Sequence, residues 1–232
     1  MKLSKIAATG ALMAVSCLGA AHADEASPIS ANIALTTNYM FRGVTQTENN
    51  PAIQGGFDYA HESGLYAGIW ASNVDFDTEG SIEVDYYVGF SGEVSSLGYD
   101  VSYVYYDYPS DEEFDYGELI GSVSYDFGAA AVSGTIAYTD ELGEDADSAI
   151  YYQAGVEVPV GAFTIAAAYG YWDLKDNADS YNDWSIGVST EYMGLGLDLT
   201  YTDTDIDEDD SGAFASEEAS DAHIVFTVSK EF

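Results

Sequence analysis

Ile82-Glu83-Val84-Asp85-Tyr86-Tyr87-Val88-Gly89-Phe90 is the stretch whose reading decides the fold. In an extended chain successive side chains point to opposite faces. Ile82, Val84, Tyr86, Val88 and Phe90 then share one face, and Glu83 and Asp85 take the other. Such a segment stands between an apolar medium and a wet one.

Working outward, the same period of two runs through most of the chain. It predicts strands over 30–44, 51–61, 64–74, 81–93, 98–108, 114–126, 129–140, 148–158, 162–173, 181–192, 194–204 and 221–232. The apolar face carries Ile33, Leu35, Tyr39 and Phe41 first, then Val132, Ile136 and Tyr138, then Phe163, Ile165, Ala167, Tyr169 and Tyr171, then Leu195, Leu197, Leu199 and Tyr201. The opposite face carries Thr36, Asn38 and Arg42, then Asp100 and Ser102, then Glu118, Ser122 and Ser124, then Asp198 and Thr200. Residues 64–74 do not sort cleanly by parity.

The gaps between these strands alternate. Ser95–Gly98, Asp126–Gly128, Val158–Gly161 and Tyr192–Gly194 are short and turn-like. Asp75–Gly80, Asp111–Asp115, Asp140–Asp147, Asp173–Ser180 and Asp203–Asp221 are longer and acidic. Outer-membrane barrels have this asymmetry, with short periplasmic turns and long extracellular loops. Aromatics on the apolar face gather at the strand ends. Tyr59, Phe90, Tyr99, Tyr125, Phe163, Tyr192 and Phe232 mark the short-turn end, and Tyr39, Phe41, Tyr105, Tyr138, Tyr152, Tyr171, Trp184 and Tyr201 the other. Rings with an apolar body and a polar tip favour the two lipid–water boundaries. A soluble β-sandwich accounts for neither pattern. The expected class is all-β: a transmembrane antiparallel up-and-down β-barrel of about 12 strands.

Residues 1–23 read as a cleaved signal peptide, with Lys2 and Lys5, an apolar run from Ile6 to Leu18 and a small-residue site at Ala21-His22-Ala23. Lipid modification of Cys17 is the alternative, although Ala14 is a poor residue three before it. Residues 24–232 are then a single barrel domain without a thiol. Removing the signal leaves Arg42, Lys175 and Lys230 against 41 acids, a net charge of −38. Nucleic-acid binding is excluded, because phosphate contacts need Lys and Arg. Docking to anionic lipid through a basic patch is excluded too. The abundance of aromatics argues against disorder despite the acidity.

Asn32–Phe76 has Asn38-Tyr39 followed by Phe41-Arg42-Gly43, then Gln54-Gly55-Gly56, Tyr66-Ala67-Gly68 and Ser72-Asn73-Val74. Glu83-Val84-Asp85-Tyr86-Tyr87 with Gly89, and Tyr105-Tyr106-Asp107-Tyr108-Pro109, follow. These segments resemble the TorF family of porin-like proteins, densely as far as Pro109 and more loosely beyond. The resemblance implies an outer-membrane barrel acting as a channel, with no particular substrate. Phe232 with Val228, Phe226 and Ile224 also resembles the assembly signal of outer-membrane barrels, from which Lys230 departs.

By parity the inward residues include Arg42, Asp58, Glu83, Asp85, Asp100, Glu118, Glu157 and Asp198. An acidic, water-filled lining raises the local cation concentration and repels anions. Arg42 is expected to pair with Glu83 or Asp85, because an unpaired charge in a confined interior is costly. Eight strands are filled by side chains and sixteen leave an aqueous channel, so twelve suggest a narrow pore. The expected function is an outer-membrane porin-like channel for small solutes, cation-preferring and non-enzymatic. Its partners would be membrane lipid, lipopolysaccharide and small solutes or cations. The alternative is a closed structural barrel bridging lipopolysaccharide through divalent cations.

Residues 207–218 fit the calcium-loop template D-x-D-x-S-G-x5-E, with oxygens from Asp207, Asp209, Ser211, the Ala213 carbonyl and Glu218. A solvated acidic loop is the plainer reading. Asp221-Ala222-His223 places a carboxylate beside an imidazole, as in the Asp–His pair of the omptin proteases, but that likeness spans three residues. No nucleophile elbow, zinc spacing or phosphate-binding glycine loop accompanies it.

Overall fold

The computed structural model describes residues 27–232 except 77, 79, 110, 144–145, 176–177 and 207–216, and the side chains of 217–218. Among the described residues the strands are β1 (Ile29–Thr36), β2 (Met40–Phe41), β3 (Val44–Thr45), β4 (Ala52–Ala60), β5 (Leu65–Asn73), β6 (Ile82–Val94), β7 (Leu97–Asp107), β8 (Tyr116–Asp126), β9 (Ala131–Thr139), β10 (Ala149–Val160), β11 (Phe163–Asp173), β12 (Tyr181–Tyr192), β13 (Leu195–Thr204) and β14 (His223–Glu231). A short α-helix, α1 (Glu217–Ser220), precedes β14, and a single 3-10 turn, Glu112–Phe114, lies between β7 and β8.

Twelve of these strands close a barrel, each antiparallel to its neighbour, while β2 and β3 pair only with each other. Closure joins β1 to β14 from Asn32↔Glu231 to Thr36↔Thr227, and joins β1 to β4 on its other side. Closing the sheet removes both edges, so every strand finds its backbone partners within the chain.

Parity sorts the two faces as expected. Ile33, Leu35, Tyr86, Val88, Ile136, Ile165, Leu199 and Phe226 are exposed on the outside. Glu83, Asp85, Ser102, Glu118, Thr139, Asp198 and Thr227 are buried inside. In a soluble protein such an apolar exterior would aggregate; against lipid it needs no cover. The faces of β5, which parity left open, also resolve: Tyr66, Trp70 and Ser72 turn inward. At one end strands meet in tight turns. Met193 and Gly194 (φ 55 and 74) turn β12 into β13 with both central residues at positive φ, the primed turn that matches strand twist. The longer connections all leave from the opposite end.

The first strand is shorter than the 30–44 expected. It stops at Thr36, and the chain folds into the lumen before returning as β4. Tyr39 and Phe41, expected on the lipid face, instead pack inside. Tyr39 is 3% exposed, and Phe41 meets Tyr106 and Trp172 edge-on. Alternation alone cannot separate a strand in the wall from a hairpin within it. With Val104, Tyr106, Tyr108, Ile120, Tyr151, Leu174 and Tyr181, the inserted segment forms an apolar core inside the long-loop end of the barrel.

Candidate functional site

The inserted segment spans residues 37–50 and is built around a hairpin. Arg42 and Gly43 (φ 49 and 83) make the turn between β2 and β3. Gly43 has no substitute there. A Cβ at that position would lie 2.5 Å from Thr204 Cγ2 and 2.9 Å from Asp183 Cβ, so the tip touches the wall of β12 and β13. Asn38 fastens the base. Its Oδ1 accepts from the hydroxyls of Thr45 (2.5 Å) and Thr47 (3.2 Å), and its Nδ2 donates to Asn49 Oδ1 (2.8 Å).

Two inward carboxylates of the barrel hold the segment. Arg42 Nη2 donates to both oxygens of Glu118, each at 2.7 Å, with the two side chains 7% and 1% exposed. The partner is therefore Glu118 on β8, not Glu83 or Asp85. The hairpin crosses the lumen instead of continuing along β1, so Arg42 reaches beyond β6. Its guanidinium also lies over the rings of Tyr151 (4.2 Å), Trp172 (4.4 Å) and Phe41 (4.6 Å), and Tyr181 donates to its carbonyl (3.0 Å). Burial alone would lower the Arg42 pKa, but the Glu118 carboxylate outweighs it and raises it, keeping the guanidinium charged. Glu83 receives the hydroxyls of Tyr39 (2.7 Å) and Tyr108 (2.8 Å). Burial, reinforced by the Glu83 charge, holds both phenols well above their ordinary pKa, so they remain donors.

Tyrosine–carboxylate pairing recurs throughout the interior. Tyr106 donates to Glu118 (3.2 Å), Tyr87 to Asp58 (2.5 Å), Tyr66 to Asp100 (2.8 Å) and Tyr151 to Asp183 (3.0 Å). Rings of Tyr66 and Tyr87 cross over opposing glycines: a Cβ on Gly89 would meet the Tyr66 ring at 2.3 Å, and one on Gly68 the Tyr87 ring at 2.4 Å. With 20 tyrosines and only 5 Lys or Arg in the chain, neutral hydroxyls replace cations as partners for buried acids. Sequence reasoning missed these tyrosines and Asp183. Their inward parity and the scarcity of cations were the available signals.

Of the predicted interior residues, Arg42, Glu83, Asp85, Glu118 and Asp198 are buried, while Asp58, Asp100 and Glu157 are partly exposed. Below the inserted hairpin lies a cavity of about 700 Å3. It reaches from Ala60, His61 and Phe232 at the short-turn end up to Tyr39, Arg42 and Gly43. Asp58, Asp85, Asp183, Asp198 and Glu231 line it against one cation, Arg42. Glu83, Asp100, Glu118 and Glu157 do not line it. Two atoms among its lining groups, Arg42 Nη1 and Asp85 Oδ1, are buried without a hydrogen-bond partner.

Asp207, Asp209, Ser211 and Ala213 of the calcium-loop pattern lie outside the described residues, as does the Glu218 side chain. Among the described residues no group of three His, Cys, Asp or Glu side chains is placed to hold a metal. His223 faces Thr202 at the start of β14, its Nε2 buried without a hydrogen-bond partner, and Asp221 is exposed beside it. The structure does not join them in a hydrogen-bonded dyad.

The family model described as "Bacterial protein of unknown function (Gcw_chp)" matches residues 20–232, and the chain belongs to that family. Its description does not carry the TorF name. Comparison with curated protein sequences gives no match. Among solved structures, "KdgM porin" is similar at a TM-score of 0.62 and 5% identity, over 88% of this chain and 99% of that one. "NanC porin structure in rhombohedral crystal form" is similar at 0.56 and 8%, over 87% and 97%. "Salmonella typhi OmpF complex with Daunomycin" is similar at 0.51 and 9%, over 88% and 97%. At these identities the likeness is one of fold, that of an outer-membrane porin-type barrel.

Proposed function

Taking membership of this family and the porin-type fold as the premise, we propose that the chain is a narrow, cation-preferring channel of the bacterial outer membrane. The short-turn end faces the periplasm and the acidic loops face outward. The observation that carries this reading is the charge of the interior cavity. Five carboxylates line it against a single guanidinium, and that guanidinium is already paired with Glu118. Walls of low dielectric focus such a field and concentrate cations over anions. The likeness of residues 32–109 to the TorF porins supports the same reading. Conduction requires the 37–50 segment to leave its seat, so the wild-type channel opens seldom.

Planar-bilayer reversal potentials in a potassium chloride gradient test the proposal. A cation-selective potential is expected, weakened by neutralising Asp58 and Asp198 to Asn. Anion preference, or silence even after the hairpin has been unseated, overturns it. The filled outer end favours one other reading, a closed barrel whose acidic loops bind divalent cations shared with lipopolysaccharide. Liposome swelling with small cationic, neutral and anionic solutes separates the two, since only a channel gives flux.

A further inference from the structure

The inside of the barrel already holds one guanidinium, and how it does so is instructive. Arg42 sits between a carboxylate, Glu118, and three aromatic rings within 4.2–4.6 Å of its carbon centre. Carboxylate and ring faces together suit a flat or compact organic cation better than a hydrated metal ion. Asp85 repeats that surround without a cation from the chain. In the sheet register Trp70 on β5 and Tyr106 on β7 stand directly opposite it, one on each side. Directly opposed side chains on one face have Cβ atoms about 5 Å apart, close enough to share a ligand. Tyr39 of the inserted hairpin meets the Trp70 ring edge-on at 5.6 Å and closes the site from above.

The interior carboxylates around Asp85 have donors. Glu83 takes two tyrosyl hydroxyls, Glu118 takes Arg42, and Asp58 takes Tyr87. Asp85 is 4% exposed, lines the cavity, and has its Oδ1 buried without a hydrogen-bond partner. A buried acceptor of this kind is costly unless something donates to it. The cavity of about 700 Å3 beneath is of the size that holds small ligands and reaches Ala60, His61 and Phe232 at the short-turn end.

We propose that Asp85, with Trp70, forms a binding site at the head of the inner cavity for a small organic cation bearing N–H donors. Its class is a primary alkylammonium or a monosubstituted guanidinium. The ammonium or guanidinium N–H donates to Asp85 Oδ1, and the Trp70 ring flanks the charge. The neighbouring Arg42 does not repel such a ligand strongly, because Glu118 neutralises it at 2.7 Å. This site deepens the cation preference proposed above and rests on that reading.

The test is calorimetry on the refolded full chain in detergent micelles, a measurement that needs no conduction. Butylammonium and propylguanidinium are the probes, with tetramethylammonium and potassium as controls of equal charge. Saturable one-to-one binding of both probes is expected, at least about tenfold tighter than either control, since only the probes can donate to Oδ1. Asp85→Asn weakens the probes by at least about tenfold, and Glu93→Gln, which removes the same charge from an exposed position outside the cavity, by less than about threefold. Trp70→Leu serves as the second variant should Asp85→Asn fail to fold, and it weakens both probes by about three- to tenfold. Absence of saturable binding to the wild type overturns the site, as does unchanged affinity in a folded Asp85→Asn or Trp70→Leu barrel. A barrel that binds the probes but never conducts keeps the site and refutes the channel; one that conducts cations without binding does the reverse.

Discussion

Replacing Arg42 by methionine should open the barrel without unfolding it. Among the described residues, Arg42 is the only side chain of the inserted hairpin that ion-pairs with the wall, through two 2.7 Å bonds to Glu118. Methionine keeps much of the packing against Tyr151 and Trp172 but leaves Glu118 buried with only the Tyr106 hydroxyl, at 3.2 Å. Removing one partner of a buried pair costs about 3–5 kcal/mol, chiefly from the stranded charge. The twelve strand pairings do not pass through Arg42, so this cost falls on the seated hairpin and not on the barrel. At about 1.4 kcal/mol per tenfold, the ratio of released to seated hairpin rises by roughly a hundred- to a few-thousand-fold. In planar bilayers Arg42→Met should raise mean conductance by a comparable factor until the released state dominates. Adding Glu118→Met should restore much of the closure, because replacing both members of a buried pair by apolar groups is close to neutral. The reasoning is refuted if Arg42→Met, folded by circular dichroism, conducts no more than wild type, or if the double variant conducts like the single one.

Gly43→Ala combines a positive φ with a Cβ 2.5 Å from Thr204 Cγ2, so the hairpin tip should leave the wall. Limited trypsin digestion reads this: cleavage after Arg42 should appear in the variant and be absent in wild type, with the exposed Lys175 cut in both. Tyr39→Phe removes one of two phenols donating to buried Glu83 and should cost about 1.5–3 kcal/mol, measured by urea unfolding in lipid vesicles. Tyr201→Phe, which loses a bond to Asp203 on the exposed rim, should leave the unfolding midpoint unchanged in the same assay. Equal costs would show that burial is not what gives the interior pairs their strength. Ile136→Arg, at an exposed position in the middle of β9, should destabilise the barrel by about 2–4 kcal/mol in vesicles. A negligible effect there would remove the argument that this face meets lipid.

The barrel was legible because its cause is local. A strand between lipid and water must alternate, and Ile82–Phe90 alternates whatever surrounds it. Loop lengths reported the two ends for the same reason, since turns on one side can be trimmed independently of the strands. Parity also placed Glu83, Asp85, Glu118 and Asp198 inside. It misplaced Tyr39 and Phe41, because a hairpin within the lumen alternates just as the wall does.

What the sequence determined by itself is therefore the medium on each side of most strands, β5 excepted: apolar outside, acidic inside, with too few cations to pair the acids. Partner choice was decided only by the tertiary structure. Glu118 lies 76 positions from Arg42, and Tyr39 lies 44 from Glu83. Those contacts exist because twelve strands close into a ring narrow enough for one hairpin to reach across it. Closure is a property of the whole sheet, and no local period in the chain records the diameter it produces.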